Sequence, residues 1–207
     1  GKASALADQH CPPTTLEKAF IRRSRGMILG DSGMRCYRSK GHGPLSSHLK
    51  SYADNDTGYR EVTFRAESGD TVEDWLVAVK RYIDKHAHLM RDPETGAMTR
   101  MPVDVPCLWF DNLNSWFSSN RALDPSDPRA EYRMQRYREL LNLLTETFTC
   151  VVYVATRDQR KWGYSSADSE LVDGYRNAIV RFARHDYGNV LVVNGEDFWQ
   201  GLRAFKV

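Results

Sequence analysis

The sequence predicts a three-layer α/β/α domain, with a mainly parallel five-stranded sheet between helices. Three observations carry this expectation. Short apolar runs alternate with amphipathic helical stretches along the 207 residues. The runs Thr149 to Ala155 and Val190 to Val193, each following a long helical stretch, are uniformly apolar, as strands of a parallel sheet covered on both faces must be. No repeat or linker interrupts the pattern, so residues 15–207 read as one domain behind a polar arm, 1–14, that carries Pro12-Pro13 and no periodicity.

In chain order, Thr15 to Arg23 reads as one or two helical turns, and Met27 to Leu29 as a buried first strand. That strand stops at Gly30-Asp31-Ser32-Gly33, where two glycines permit a tight turn. A Gly-rich loop (Gly41, Gly43, Pro44) and a short helix, Leu45 to Tyr52, follow. Tyr59 to Ala66 alternates as a strand, with Val62 and Phe64 on one face, and ends at Glu67-Ser68-Gly69-Asp70. Val72, Trp75, Leu76, Val79, Ile83 and His86 then recur at three- and four-residue steps, which predicts a helix capped by Thr71 with Asp74. His86 and His88, two apart near its end, project to different sides and read as packed or solvated rather than metal-binding.

Arg91 to Met101 reads as a loop, and Val103 to Phe110 as a third strand kinked by Pro106. Asp111 to Asn120 is loop. Ala130 to Phe148 is a second helix, burying Tyr137, Leu140, Leu141, Leu144 and Phe148. Thr149 to Ala155 is the fourth strand, and Thr156 to Ser166 a polar loop. Ser169 to Arg184 is a third helix, with Leu171, Val172, Tyr175, Ile179 and Phe182 inward. Val190 to Val193 is the fifth strand, and Phe198 to Phe205 closes the chain as a short helix. Right-handed crossovers then imply a flavodoxin-like strand order.

Composition narrows the function classes. An apolar fraction of 41%, 27% charged and 11% aromatic describe a soluble folded protein and exclude extended disorder. A net charge of +2, from 29 basic against 27 acidic residues, gives no global case for nucleic acid or an anionic membrane. Arg22, Arg23, Arg25, Arg35, Arg38 and Lys40 cluster near Ser32 and read as a solvated face. No apolar run approaches the ~20 residues of a membrane span. Gly1 to His10 has no apolar core of the kind a secretory leader needs. Cys107 and Cys150 fall in predicted strands without Cys-x-x-Cys spacing and read as packed, reduced thiols; the compartment is otherwise unknown, with these thiols pointing to a reducing one. No metal and no cofactor is implied.

In a parallel sheet the segments after strands one, two and three meet at one edge. Here they bring a serine hydroxyl (Ser32), a backbone N–H at a glycine (Gly69) and a carboxamide (Asn114) together. Acyl transfer needs that combination: a hydroxyl attacks, and fixed donors hold the charge that develops on the carbonyl oxygen.

These segments resemble the SGNH (GDSL-type) hydrolase superfamily. Gly30-Asp31-Ser32 is similar to its first block, which would make Ser32 the nucleophile. Glu67-Ser68-Gly69-Asp70-Thr71 is similar to its second, with Gly69 as an oxyanion N–H. Asn112-Leu113-Asn114-Ser115 resembles a divergent third block, normally Gly-x-Asn-Asp, with Asn114 as side-chain donor. Arg35, just after the first block, is similar to the esterase branch acting on surface glycans and lipids. The resemblance implies an esterase or deacylase acting on a small ester or an acylated glycan or lipid.

The family's last block, Asp-x-x-His, is missing, and no histidine follows Val193. Asn112 replaces the glycine of block three. Among the six histidines (His10, His42, His48, His86, His88, His185), His10 on the arm and His42 in the Gly-rich loop are the candidate bases, with Asp197 as an orienting carboxylate. His185 precedes the fifth strand and belongs at the opposite edge. Arg35, Asn112, Arg157, Lys161 and Trp162 would rim the cleft. The alternative is an inactive SGNH-fold module that binds a glycan, acyl group, nucleic acid or protein through that basic, aromatic rim. A nucleotide binder using Gly30 to Gly33 as an anion nest ranks last, because Walker A and Gly-x-Gly-x-x-Gly are both lacking.

Overall fold

The computed structural model describes residues 26–31, 62–67, 69–86, 89–100, 105–111, 113, 117, 122–155 and 165–194. In chain order these form β1 (Gly26–Asp31), β2 (Val62–Glu67), α1 (Val72–His86), β3 (Leu89–Arg91), β4 (Met98–Arg100), β5 (Cys107–Phe110), α2 (Pro128–Thr147), β6 (Val151–Ala155), α3 (Ser166–His185) and β7 (Val190–Asn194). Five strands make one sheet in the order β2-β1-β5-β6-β7, and every pairing in it is parallel. This is the α/β architecture and the flavodoxin-like order expected from the alternation of strands and helices.

Period-two alternation sets the layers. Met27, Leu29, Cys107, Trp109, Val151 and Tyr153 point one way, into a core with the buried stripes of all three helices. Ile28, Leu108, Phe110, Val152 and Val154 point the other way and are buried as well, so both faces of the central strands are dry, which explains their unbroken apolar sequence. The α1 stripe is Val72, Trp75, Leu76, Val79, Tyr82 and Ile83. Thr71 caps it as expected, its N–H donating to Asp74 Oδ2 at 2.9 Å. His86 is half-buried with its ring 4.4 Å from that of Tyr82, a packed helix-end histidine. Cys107 and Cys150 are buried thiols not joined in a disulfide, and burial pushes Cys107 up.

Several details differ from the sequence expectation. Residues 91–101 are not all loop: β3 and β4 pair as an antiparallel hairpin, closed by Asp92 N–H to Ala97 O at 2.8 Å and by Asp92 Oδ1 accepting from Glu94 N–H at 2.8 Å. Strands of three residues are too short to show a period. The third strand of the main sheet starts at Cys107 rather than Val103. Pro106 has no N–H to give and instead offers its carbonyl to Met27 N–H at 3.2 Å. Helix α3 starts at Ser166 instead of Ser169, because Ser165 Oγ accepts from Asp168 N–H at 3.1 Å and sets the cap one turn earlier. Leu171 on that helix is half-buried, not inward-facing in full. The helices expected at 15–23, 45–52 and 198–205 lie outside the described residues.

Helix α2 begins on an aspartate cap. Asp127 accepts from Arg129 N–H at 2.9 Å and pairs with the Arg129 guanidinium at 2.7 Å. The guanidinium and the amide together hold the Asp127 carboxyl at about 2, below its ordinary 3.8. A depressed carboxyl contributes stability that is complete above its unfolded value and is lost as pH falls through its folded value. The advantage of the wild type over Asp127→Asn should therefore shrink between pH 3.8 and about 2. Urea unfolding at several pH values checks this, and a constant difference would refute it.

Candidate active site

The carboxyl edge of the sheet is assembled around the end of β1, which lies between β2 and β5. At that end the Gly30 carbonyl accepts from the Trp75 indole N–H at 2.8 Å. Trp75 is fully buried and meets Trp109 edge-on at 5.9 Å. The carbonyl just before Asp31 is thus tied to the first turn of α1. Asp31 itself is 1% exposed.

The β2 edge turns sharply. Asp70, 4% exposed, folds back so that its Oδ2 accepts from Glu67 N–H at 2.9 Å and from Arg65 Nε at 3.0 Å. Its Oδ1 accepts from Arg65 Nη2 at 3.0 Å, completing a bidentate clamp. The Asp70 hydrogen bond raises Arg65 further, keeping it charged. Gly69 sits at the apex of this turn with φ +81° and an exposed backbone. A Cβ there would meet nothing within 4 Å, so the glycine is required by its dihedral alone. Gly69→Ala should accordingly cost about 1 kcal/mol in urea unfolding, through strain and not through a clash. An alanine variant as stable as wild type would show that the turn relaxes without cost.

The β5 edge carries a feature that the sequence reading assigned to loop. Asp111 is 0% exposed. Its N–H donates to Val154 O at 3.2 Å, its Oδ2 accepts from the Tyr153 hydroxyl, and its Oδ1 lies 3.6 Å from Arg176 Nε. Arg176 comes from the middle of α3, is 2% exposed, and donates from Nη1 to Asp173 Oδ1 at 2.8 Å. Leu29 pairs with Trp109 across β1 and β5; Asp31 and Asp111 each lie two residues further on, so both carboxylates stand on the same face of neighbouring strands. Burial first, and Asp111 second, push the Tyr153 and Tyr137 phenols well above 10, with Asp31 adding to Tyr137. Beyond Asp111 the chain is pinned again at Leu113, which is buried and accepts from Phe117 N–H at 2.8 Å. Phe117 in turn stacks on Tyr175 at 4.1 Å.

Of the site residues expected from the sequence, Gly69 stands at the carboxyl edge, as anticipated. Ser32, Asn112 and Asn114 lie outside the described residues, though each is bonded to a placed neighbour (Asp31, Asp111 or Leu113). The rim residues Arg35, Arg157, Lys161 and Trp162, and the candidates His10, His42 and Asp197, also lie outside them. His185 ends α3, exposed, five residues before the start of β7 at the opposite edge, as expected. The buried group Asp31, Asp111, Tyr153 and Arg176 was missed. One signal could have found it: Arg176 interrupts the apolar stripe of α3 between Val172 and Ile179. Among the described residues no helix is long and apolar enough to cross a membrane.

No family model matches the chain, and no curated protein matches it. Solved structures do. The acetylxylan esterase Axe2 from Geobacillus stearothermophilus is similar at a TM-score of 0.53 and 13% identity, over 86% of this chain and 80% of that one. A GDSL-like lipase from Bacteroides thetaiotaomicron is similar at a TM-score of 0.48 and 11% identity, over 93% of this chain and 77% of that one. At such identities likeness speaks to fold, and the strand order, the crossover helices and the Axe2 match agree on it: this chain has the SGNH hydrolase fold.

Proposed function

We propose that this chain hydrolyses esters, as an esterase or deacylase with Ser32 as nucleophile. In this reading the Gly69 N–H and the Asn114 carboxamide hold the oxyanion. The observation that carries it is the position of β1 between β2 and β5. Parallel strands stand ~4.8 Å apart, and β1, which Ser32 follows in the chain, ends between the two strands that precede the proposed donors in the sequence. The Gly69 turn, and the hydrogen-bonded, buried Asp111, Leu113 and Phe117, support a reading with fixed donors. A structural neighbour that is an acetylxylan esterase supports a small acyl ester on a glycan as substrate, with Arg35, Asn112, Arg157, Lys161 and Trp162 forming the rim. His10 or His42 takes the serine proton, and Asp197 orients the imidazole.

One observation favours a second reading. The 207 residues contain no Asp-x-x-His, and a serine without a base is a poor nucleophile; a binding module would then use the same cleft for a glycan, acyl group, nucleic acid or protein. Hydrolysis of p-nitrophenyl acetate separates the two. The hydrolase reading expects turnover that falls at least about 100-fold in Ser32→Ala. Absent turnover, or turnover that survives the substitution, overturns it in favour of the binding module.

A further inference from the structure

We propose that Arg65 and Asp70 are positioning residues that fix the direction of the Gly69 N–H, holding it ready for an oxygen that carries negative charge. The clamp stands on its own geometry; its catalytic consequence rests on the hydrolase reading above, in which that oxygen is the oxyanion.

Glu67 and Asp70 close a turn that has Gly69 at its third position. Asp70 N–H donates to Glu67 O at 3.1 Å, and Asp70 Oδ2 accepts from Glu67 N–H at 2.9 Å. One aspartate therefore grips both backbone groups of the residue where β2 ends. Gly69 has a φ of +81°, a left-handed value that this position of a turn reserves for glycine. The bond that closes the turn does not use the Gly69 N–H. Gly96 shows the contrast. It too has a positive φ, at +71°, but its N–H donates to Asp92 O at 2.9 Å within its own hairpin. Gly69 is exposed at the carboxyl edge, and even a Cβ there would meet nothing within 4 Å, so a ligand has room to approach.

An N–H serves as an oxyanion donor only when its direction is set before the charge develops. Arg65 sets it. Its Nε and Nη2 fork onto the two Asp70 oxygens at 3.0 Å each, and its Nη1 lies 3.5 Å from Glu67 Oε1. Nη2 also lies 3.8 Å from Asp74 Oδ1, in the first turn of α1. One guanidinium thus ties the strand before Gly69 to the helix after it. Asp74 Oδ2 in turn accepts from Thr71 N–H at 2.9 Å, so the chain just beyond the turn is held as well. Arg65 and Asp70 are only five residues apart, so the clamp joins no distant parts of the fold; what it fixes is the turn between them. The Arg65 side chain is one-third exposed. A partly exposed ion pair gives a fold little stability, but a bidentate one gives direction.

The test uses the full chain with Arg65→Lys, which keeps the charge and loses the fork, and Asp70→Asn, which keeps the shape and loses the charge. Exchange of the amides at 67 and 70 should quicken by about tenfold or more in both variants, while the amides of β5 and β6 keep their protection. The N–H order parameter of Gly69 should fall from about 0.85 toward about 0.6. In an enzyme that needs Ser32, kcat on p-nitrophenyl acetate should fall about tenfold with KM nearly unchanged, because the misdirected donor acts only on the transition state. The double variant should lose no more than the worse single one, since Arg65 acts through Asp70; additive losses overturn that coupling. Unchanged exchange and order parameter in folded Arg65→Lys overturn the clamp, even if Asp70→Asn fails to fold. A loosened turn with unchanged kcat, in an enzyme that needs Ser32, overturns its role in catalysis. A loosened turn in a chain without Ser32-dependent turnover supports the clamp and removes the hydrolase reading.

Discussion

Replacing Arg176 with methionine is expected to destabilise the fold by about 3–5 kcal/mol, the usual cost of breaking a buried ion pair by removing one partner. The guanidinium is 2% exposed and faces Asp111, which is wholly buried with Asp31 at the equivalent position on the next strand. Removing it leaves two carboxylates side by side without that cation, a charge arrangement that low dielectric penalises. The loss comes from uncompensated carboxylate and not from lost packing, so Arg176→Met with Asp111→Leu should recover much of it. Urea unfolding of the single and double variants measures both terms. A single variant within about 1 kcal/mol of wild type would mean that Asp111 does not need the guanidinium.

Trp75→Ala is expected to cost a similar amount, about 3–5 kcal/mol, for a different reason. The indole is fully buried between α1 and the sheet, against Trp109, so truncation leaves a cavity in the layer that supports β1. It also withdraws the donor from the Gly30 carbonyl. Trp75→Phe separates the contributions. It refills most of the volume without the N–H and should cost clearly less than alanine. Because domains of this size hold only about 5–15 kcal/mol in total, the alanine variant should be close to unfolding at 37 °C. A small loss for Trp75→Ala would contradict the claim that this ring braces the end of β1.

The difference between what the sequence discloses and what it conceals follows from range. Helices α1, α2 and α3 are legible because their stripes repeat over fifteen to twenty residues. Strand order is legible because parallel strands joined through helices leave few topologies. Gly69 is legible because a glycine at a strand-to-helix turn has a local reason to be there. Asp111 and Arg176 are opaque for the opposite reason. They lie sixty-five residues apart in the chain, and what makes each sensible is the other. An aspartate after a strand reads as the first residue of a loop, and an arginine in a helix as a solvated one. Only the approach of Arg176 on α3 to Asp111 after β5, in the folded chain, reveals that both are buried. The hairpin of β3 and β4 is hidden by its shortness, and the strand at Cys107 begins later than hydrophobicity suggests because proline cannot join a ladder.

In the proposed hydrolase, Ser32 is the nucleophile and Gly69 and Asn114 are the oxyanion donors. Treating the folded chain with a fluorophosphonate and locating the adduct by peptide mass spectrometry tests this most directly, since only an activated hydroxyl reacts. The account predicts a single covalent adduct on the peptide containing Ser32, abolished in Ser32→Ala. A folded chain that takes up no label, or takes it up at another residue, would contradict it.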